Sequence, residues 1–88
     1  MRFRYDPATA AANLEKHGFS FTDAEGVLED PLALTVQDPD PEGEARFITI
    51  GMGSARELLV VVYTERNNEC RVISARRPRR KERKSHED

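Results

Sequence analysis

The sequence predicts an α+β domain, an antiparallel β-sheet meander packed by two N-terminal helices and a C-terminal helix. Three observations predict it. Helix start and stop signals fall before Pro31 and after Pro78. Between them lie four segments of strand character, and most of their links are short. Links of that length make antiparallel neighbours rather than crossovers.

The elements follow in order. "RFRY" (2–5) alternates and reads as a short edge strand. Asp6-Pro7 is an N-cap followed by a first helical residue. "ATAAANLEKH" places Ala10, Leu14 and His17 along one helix face, and Gly18 stops the helix with a left-handed cap. "FSF" is a connector with two large apolar anchors. Thr22 and Glu25 have capping-box spacing, opening a second helix that runs to about Glu29, with Ala24, Val27 and Leu28 inward. Asp30-Pro31 ends it. "LALTV" (32–36) is a strand, "QDPDPEGE" an acidic loop, and "RFITIGM" (46–52) a strand of period two. "LLVVVYTE" (58–65) is continuously apolar, as a central strand must be. Asn67-Asn68 tolerate positive φ and make a hairpin turn into "CRVISAR" (70–76). Pro78 suits the first turn of a third helix ending near His86.

Composition narrows the function classes. The 88 residues suffice for one domain, 1–88, whose core is a single layer pair. The lone cysteine, Cys70, forms no internal disulfide. No apolar run reaches the ~18 residues of a membrane span, and "MRFRYDP" lacks a signal peptide's apolar stretch, so no membrane role and a cytoplasmic location are expected. The absence of CxxC and of clustered histidines predicts no metal and no cofactor. Charge is divided unevenly. Residues 71–88 carry eight basic and three acidic side chains, residues 1–70 six and thirteen. A small basic groove on an acidic body fits this better than general polyanion binding.

The tail has two readings. In one, Arg76, Arg80, Arg83 and Lys84 project in neighbouring directions at roughly four-residue steps and form a phosphate-binding face, since guanidinium forks match phosphate oxygens. In the other, the third helix is solvated and laced with ion pairs, with Glu82 reaching Arg79 or His86. Arg76 is the least tail-like of these residues, because it ends a strand. His17 likewise reads as a proton-transfer group or as a cation completing a helix dipole. Metal-free RNA cleavage needs a base, cations for the crowded phosphate and an acid. Arginines supply the second; His17, Lys16, Glu82 and His86 are candidates for the others.

The stretches "YDPATAAANLEKHGFSFTDA", "EDPLAL", "RFITIG", "LLVVVYTER" and "RVISARRPRRKERKSHE" together resemble the BrnT family, toxins of BrnT/BrnA type II toxin–antitoxin pairs. The resemblance runs from about Arg4 to Glu87, and the combination of Asn13-x-x-Lys16-His17-Gly18-x-x-Phe21 with "ISAR" and "RKER" is specific. It implies a RelE-like fold and a ribonuclease that inhibits translation and growth. It implies a BrnA-like antitoxin partner, an RNA substrate, and contact with DNA only through the antitoxin. Arg76, Arg80, His17 and Glu82 are then the candidate catalytic residues. Lys16, Arg46, Arg83 and Lys84 are the candidate RNA-binding residues. Tyr5 stands where many members have Trp, Thr9 where Lys is common, and His86 where Tyr is frequent. The alternative is a non-catalytic module that only holds RNA or an antitoxin.

Overall fold

The computed structural model describes residues 2–38 and 45–87. The elements are β1 (Arg2–Arg4), α1 (Pro7–His17), α2 (Phe21–Glu29), β2 (Leu34–Asp38), β3 (Arg46–Met52), β4 (Leu58–Arg66), β5 (Glu69–Arg76) and α3 (Arg80–Glu87). They form one sheet of order β1-β5-β4-β3-β2. Strands β2 to β5 are the expected antiparallel meander. Strand β1 corrects a wholly antiparallel sheet: it pairs parallel to β5, with Arg2 opposite Glu69, so the sheet is mixed. A parallel neighbour needs a long connection, and both early helices and three strands intervene here. Most of the acidic loop, residues 39–44, lies outside the described residues.

The middle strand is β4, and its apolar run has a cause: Val60 and Val61 point to opposite faces, and both are fully buried. Helices α1 and α2 pack one face, which is sealed by Phe19, Phe21, Ala24, Val27, Leu59, Val61, Tyr63, Cys70, Val72 and Ala75. Each large apolar side chain buried here contributes about 1.5–3 kcal/mol relative to exposure. Burial also pushes the Cys70 thiol up to about 12, aided by Glu65, so it stays an inert core group.

Local details depart from the sequence reading in instructive ways. Gly18 caps α1 at φ 80°, as expected. The inward side of α1 is Asn13, however, while Leu14 is 53% exposed. The α2 cap is Ser20, whose hydroxyl accepts the Asp23 N–H at 3.3 Å, not the Thr22–Glu25 pair. Phe21 therefore sits inside the helix. Strand β2 begins two residues later than expected, because Asp30 holds the Leu32 N–H and reaches across to the Met52 N–H at 2.8 Å. Gly26 lets α2 approach the β3–β4 turn: a Cβ there would meet the Ser54 nitrogen at 2.5 Å. Asn67 and Asn68 take φ 53° and 64°, as the hairpin requires. The third helix starts at Arg80, beyond Pro78. No helix among the described residues is long and apolar enough to cross a membrane.

Candidate nucleic-acid interface

The second face of the sheet is only partly covered: Ile50 and Val60 are buried, while its edge at β2 is open. Leu34, Val36, Ile48, Ile50 and Val60 line a groove of about 210 Å³ there, closed at one end by Glu82 of α3. Leu34 and Val36 remain 47% and 61% exposed. The register explains why these residues meet: Leu34 is opposite Ile50, Ile50 opposite Val60, and Val60 opposite Arg76. Helix α3 thus lies on the face opposite to α1 and α2.

Arg76 and Glu82 form the polar centre of this face. Arg76 Nη1 and Nη2 donate to the two Glu82 carboxylate oxygens at 2.8 and 3.0 Å, and Nη1 also donates to the Arg77 carbonyl at 3.2 Å. Glu82 in addition accepts the Arg79 backbone N–H at 2.7 Å. This is half of a capping box: the third residue of α3 reaches back to the residue before its start. One carboxylate therefore starts the helix and ties it to the end of β5. The sequence spacing suggested Arg79 or His86 as its partner; the backbone of Arg79 and the side chain of Arg76 fill that place. The side chain of His86 lies outside the described residues.

The electrostatic consequences are mutual. The hydrogen bonds from Arg76 hold the Glu82 carboxyl below its ordinary range against the opposing effect of burial, with help from the Arg79 N–H. The same pair raises Arg76 above its usual value. Glu82 is therefore ionised at neutral pH and accepts bonds only. Three of the five guanidinium N–H donors of Arg76 are used by these bonds. The remaining two, on Nε and Nη2, make the other edge of the fork.

Other candidates are distributed around this centre. Arg80, Arg83 and Lys84 are exposed on α3. Arg46 is half-buried on β3, opposite Thr64 of β4, and belongs to the same face as Ile48. Lys16 and His17 end α1, the helix that packs the other face. Lys16 is exposed and His17 half-buried, and neither bonds Arg76 or Glu82. Among the described residues no three His, Cys, Asp or Glu side chains are grouped to hold a metal ion.

Asn13 was quoted in the sequence only as part of a motif, and its role is structural. It is 5% exposed. Its amide nitrogen donates to the carbonyls of Phe19 and Ala75, and its oxygen accepts the Ala75 N–H at 3.0 Å. Strand β1 accompanies β5 only as far as Arg71. Beyond it, Asn13 supplies the backbone partners of the residue just before Arg76. A buried amide at helical spacing was the available signal, since Asn rarely occupies a core face without such bonds.

The mixed five-stranded sheet, with two helices on one face and the Arg76–Glu82 pair at the end of β5 on the other, defines an α+β protein. Comparison with known proteins gives the particular family. A family model described as the ribonuclease toxin, BrnT, of type II toxin–antitoxin systems matches residues 5–82. The chain belongs to the BrnT family. Its fold is similar to that of the Brucella abortus ribonuclease toxin BrnT in its crystal structure, with a TM-score of 0.66 and 23% identity over 91% of this chain and 99% of that one. A search of curated proteins gives no match.

Proposed function

We propose that the protein is the ribonuclease toxin of a type II toxin–antitoxin pair, with a RelE-like fold, that cleaves RNA without a metal ion and so inhibits translation and growth. The observation that carries this reading is the free edge of the Arg76 fork, held in place by Glu82 at the end of a rigid strand. Phosphodiester cleavage by a neighbouring 2′-hydroxyl builds negative charge on the phosphate oxygens. A preorganised guanidinium aimed at that charge lowers the barrier, and the end-on pairing of Nη1 and Nη2 with Glu82 leaves the side-on edge, two parallel N–H donors on Nε and Nη2, for it.

In this reading Arg76 binds the scissile phosphate and Glu82 positions Arg76. Arg80, Arg83 and Lys84 extend the cationic rim along α3. Arg46 contacts RNA from the sheet. Glu82 serves as neither acid nor free base, because its oxygens are committed. Lys16 and His17 remain candidates for proton transfer from the far end of α1. His17→Gln separates the roles: loss of about 10²–10⁴ in cleavage per folded molecule assigns it a proton, whereas lower stability with unchanged cleavage assigns it to the helix terminus.

A BrnA-like antitoxin neutralises the toxin by covering the open face, and DNA is reached only through that partner. Apolar Leu34 and Val36 would set the lifetime of such a complex, and the basic rim its association rate. The decisive experiment is cleavage of RNA by the purified protein in EDTA. Cleavage that persists in EDTA and vanishes in Arg76→Ala supports the reading. Loss on chelation with recovery on adding metal overturns the metal-free mechanism. RNA binding without any cleavage would make the protein a binding module.

A further inference from the structure

In an unbroken strand, side chains five residues apart point to opposite faces. Arg71 and Arg76 are five apart in β5, yet they share the open face. Val62 lies opposite Ser74, and Tyr63 opposite Val72, so Ile73 is an extra residue with no partner across the ladder. This is a β-bulge, which resets the alternation. The core confirms the reset: Val72 and Ala75, three apart, are both sealed under α1 and α2.

The bulge creates a second row of cations. Arg71 is opposite Thr64, Thr64 is opposite Arg46, and Arg4 flanks Arg71 on β1. Arg4 is neutralised by Glu69 at 3.0 Å. Arg71 is exposed, and no described carboxylate engages it. Its row meets β4 at Thr64, and the Arg76 row meets it at Val60. The two are four residue steps apart along β4, or about 13 Å. Val62 and Ile48 form the floor between. One phosphate cannot touch both rows, but two phosphates of one strand can, with bases lying over the apolar floor.

We infer that the open face is a two-point phosphate track: Arg76 takes the scissile phosphate, and Arg71, brought round by the Ile73 bulge, takes a second phosphate of the same RNA strand. This rests on the ribonuclease reading and adds to it a minimum substrate: an oligonucleotide, not a mononucleotide or a dinucleotide. The arrangement makes Arg71 a binding residue with no part in the chemical step.

The test is equilibrium binding of a labelled mixed-sequence RNA oligonucleotide and of a dinucleotide, across a salt series, to wild type, Arg71→Gln and Arg71→Lys. Arg71→Gln should weaken oligonucleotide binding about fivefold to tenfold, and lower the slope of log affinity against log salt by about 0.7. Dinucleotide affinity should not change, because one phosphate engages Arg76 alone. Arg71→Lys should keep the slope, since the charge remains. Equal oligonucleotide affinity and slope in wild type and Arg71→Gln would overturn the track while leaving the ribonuclease reading in place. So would an Arg71→Gln that binds RNA normally but loses the antitoxin, which would make the row a protein interface. A wild type that neither binds nor cleaves RNA would remove both.

Discussion

On one face of the sheet, Leu59, Val61, Tyr63 and Val72 are sealed beneath α1 and α2; on the other, Leu34 and Val36 stay 47% and 61% exposed beside the Arg76–Glu82 pair. The same strands build both faces, residue by alternate residue. The closed face carries the hydrophobic stabilisation of a domain too small to have a second core. The open face buries Ile50 and Val60 as well, but it leaves Leu34 and Val36 exposed beside its cations, and that exposed part gives folding little. A monomer has no thermodynamic reason to keep such a patch. Its retention points to ligands, and the difference predicts that substitutions on the two faces will fail in different ways.

The largest effect is expected at Arg76. Arg76→Ala should reduce RNA cleavage by about 10²–10³, the loss typical of removing one preorganised donor from a developing oxyanion. Thermal unfolding should remain cooperative, because Glu82 keeps its bond to the Arg79 N–H. A variant that cleaves RNA at the wild-type rate would move the functional centre away from this face.

Asn13 should behave in the opposite way, through stability. Asn13→Leu leaves the Ala75 N–H and carbonyl and the Phe19 carbonyl without their partner in a buried setting. The cost is roughly 2–4 kcal/mol. At about 4–8 °C per kcal/mol for a domain of this size, the melting temperature should fall by ten degrees or more. Calorimetry checks it. A shift of only a degree or two would show that water replaces the amide, and that the end of β5 is less enclosed than the hydrogen bonds imply.

These two residues also mark what was legible in the sequence. Punctuation, period two and the apolar run of β4 placed each strand and helix to within a few residues, because prolines, Gly18 and Asn67-Asn68 act locally, although the α2 cap fell on Ser20 and not on the Thr22–Glu25 pair. The parallel β1, the sealed Asn13 and the bulge at Ile73 were not legible. Each depends on which segments become neighbours after folding. Strand β1 reads alike whether its partner runs parallel or antiparallel. "CRVISAR" alternates acceptably with or without an extra residue, so nothing local announced that Arg71 would join Arg76. At the site, Arg76 stood out as a strand-end cation and Glu82 as a helix residue with partners one turn away. Their pairing required the turn over residues 77–79 that carries α3 back over the sheet.

A like-for-like pair of valines sharpens the contrast between faces. Val27 is fully buried on the closed side, and Val36 is 61% exposed on the open side. Val27→Ala should cost about 2–3 kcal/mol through lost transfer energy and the cavity left behind. Val36→Ala should stay within about 0.5 kcal/mol. Urea midpoints measure both. If Val36→Ala also proves costly, the open face is part of the stabilising core and its exposure has no bearing on ligands. The antitoxin complex should reverse the ranking, with Val36→Ala the more damaging to its dissociation rate.

The smallest effect concerns pH and tests whether the Arg76–Glu82 pair is formed as described. The folded state holds the Glu82 carboxyl below its ordinary value of 4.5, mainly through the hydrogen bonds from Arg76. A depressed carboxyl pKa contributes stability that is fully present above the unfolded value and is lost as pH falls through the folded one. Arg76 is shifted upward from its ordinary value by its hydrogen bonds to Glu82, so its contribution changes only in strong alkali. The loss from this pair should therefore begin just below pH 4.5 and grow on further acidification. Both side chains retain some exposure, 21% for Arg76 and 30% for Glu82, which limits the contribution to about 1 kcal/mol. Glu82→Gln removes the titrating group and should flatten that part of the stability curve. At neutral pH the same variant should also lower RNA cleavage, because Arg76 loses the carboxylate that fixes its fork while keeping its charge. Urea unfolding from neutral to about pH 3 gives the first readout, and cleavage per folded molecule the second. An acid limb identical in wild type and Glu82→Gln, together with unchanged cleavage, would mean that Arg76 is positioned by something other than α3.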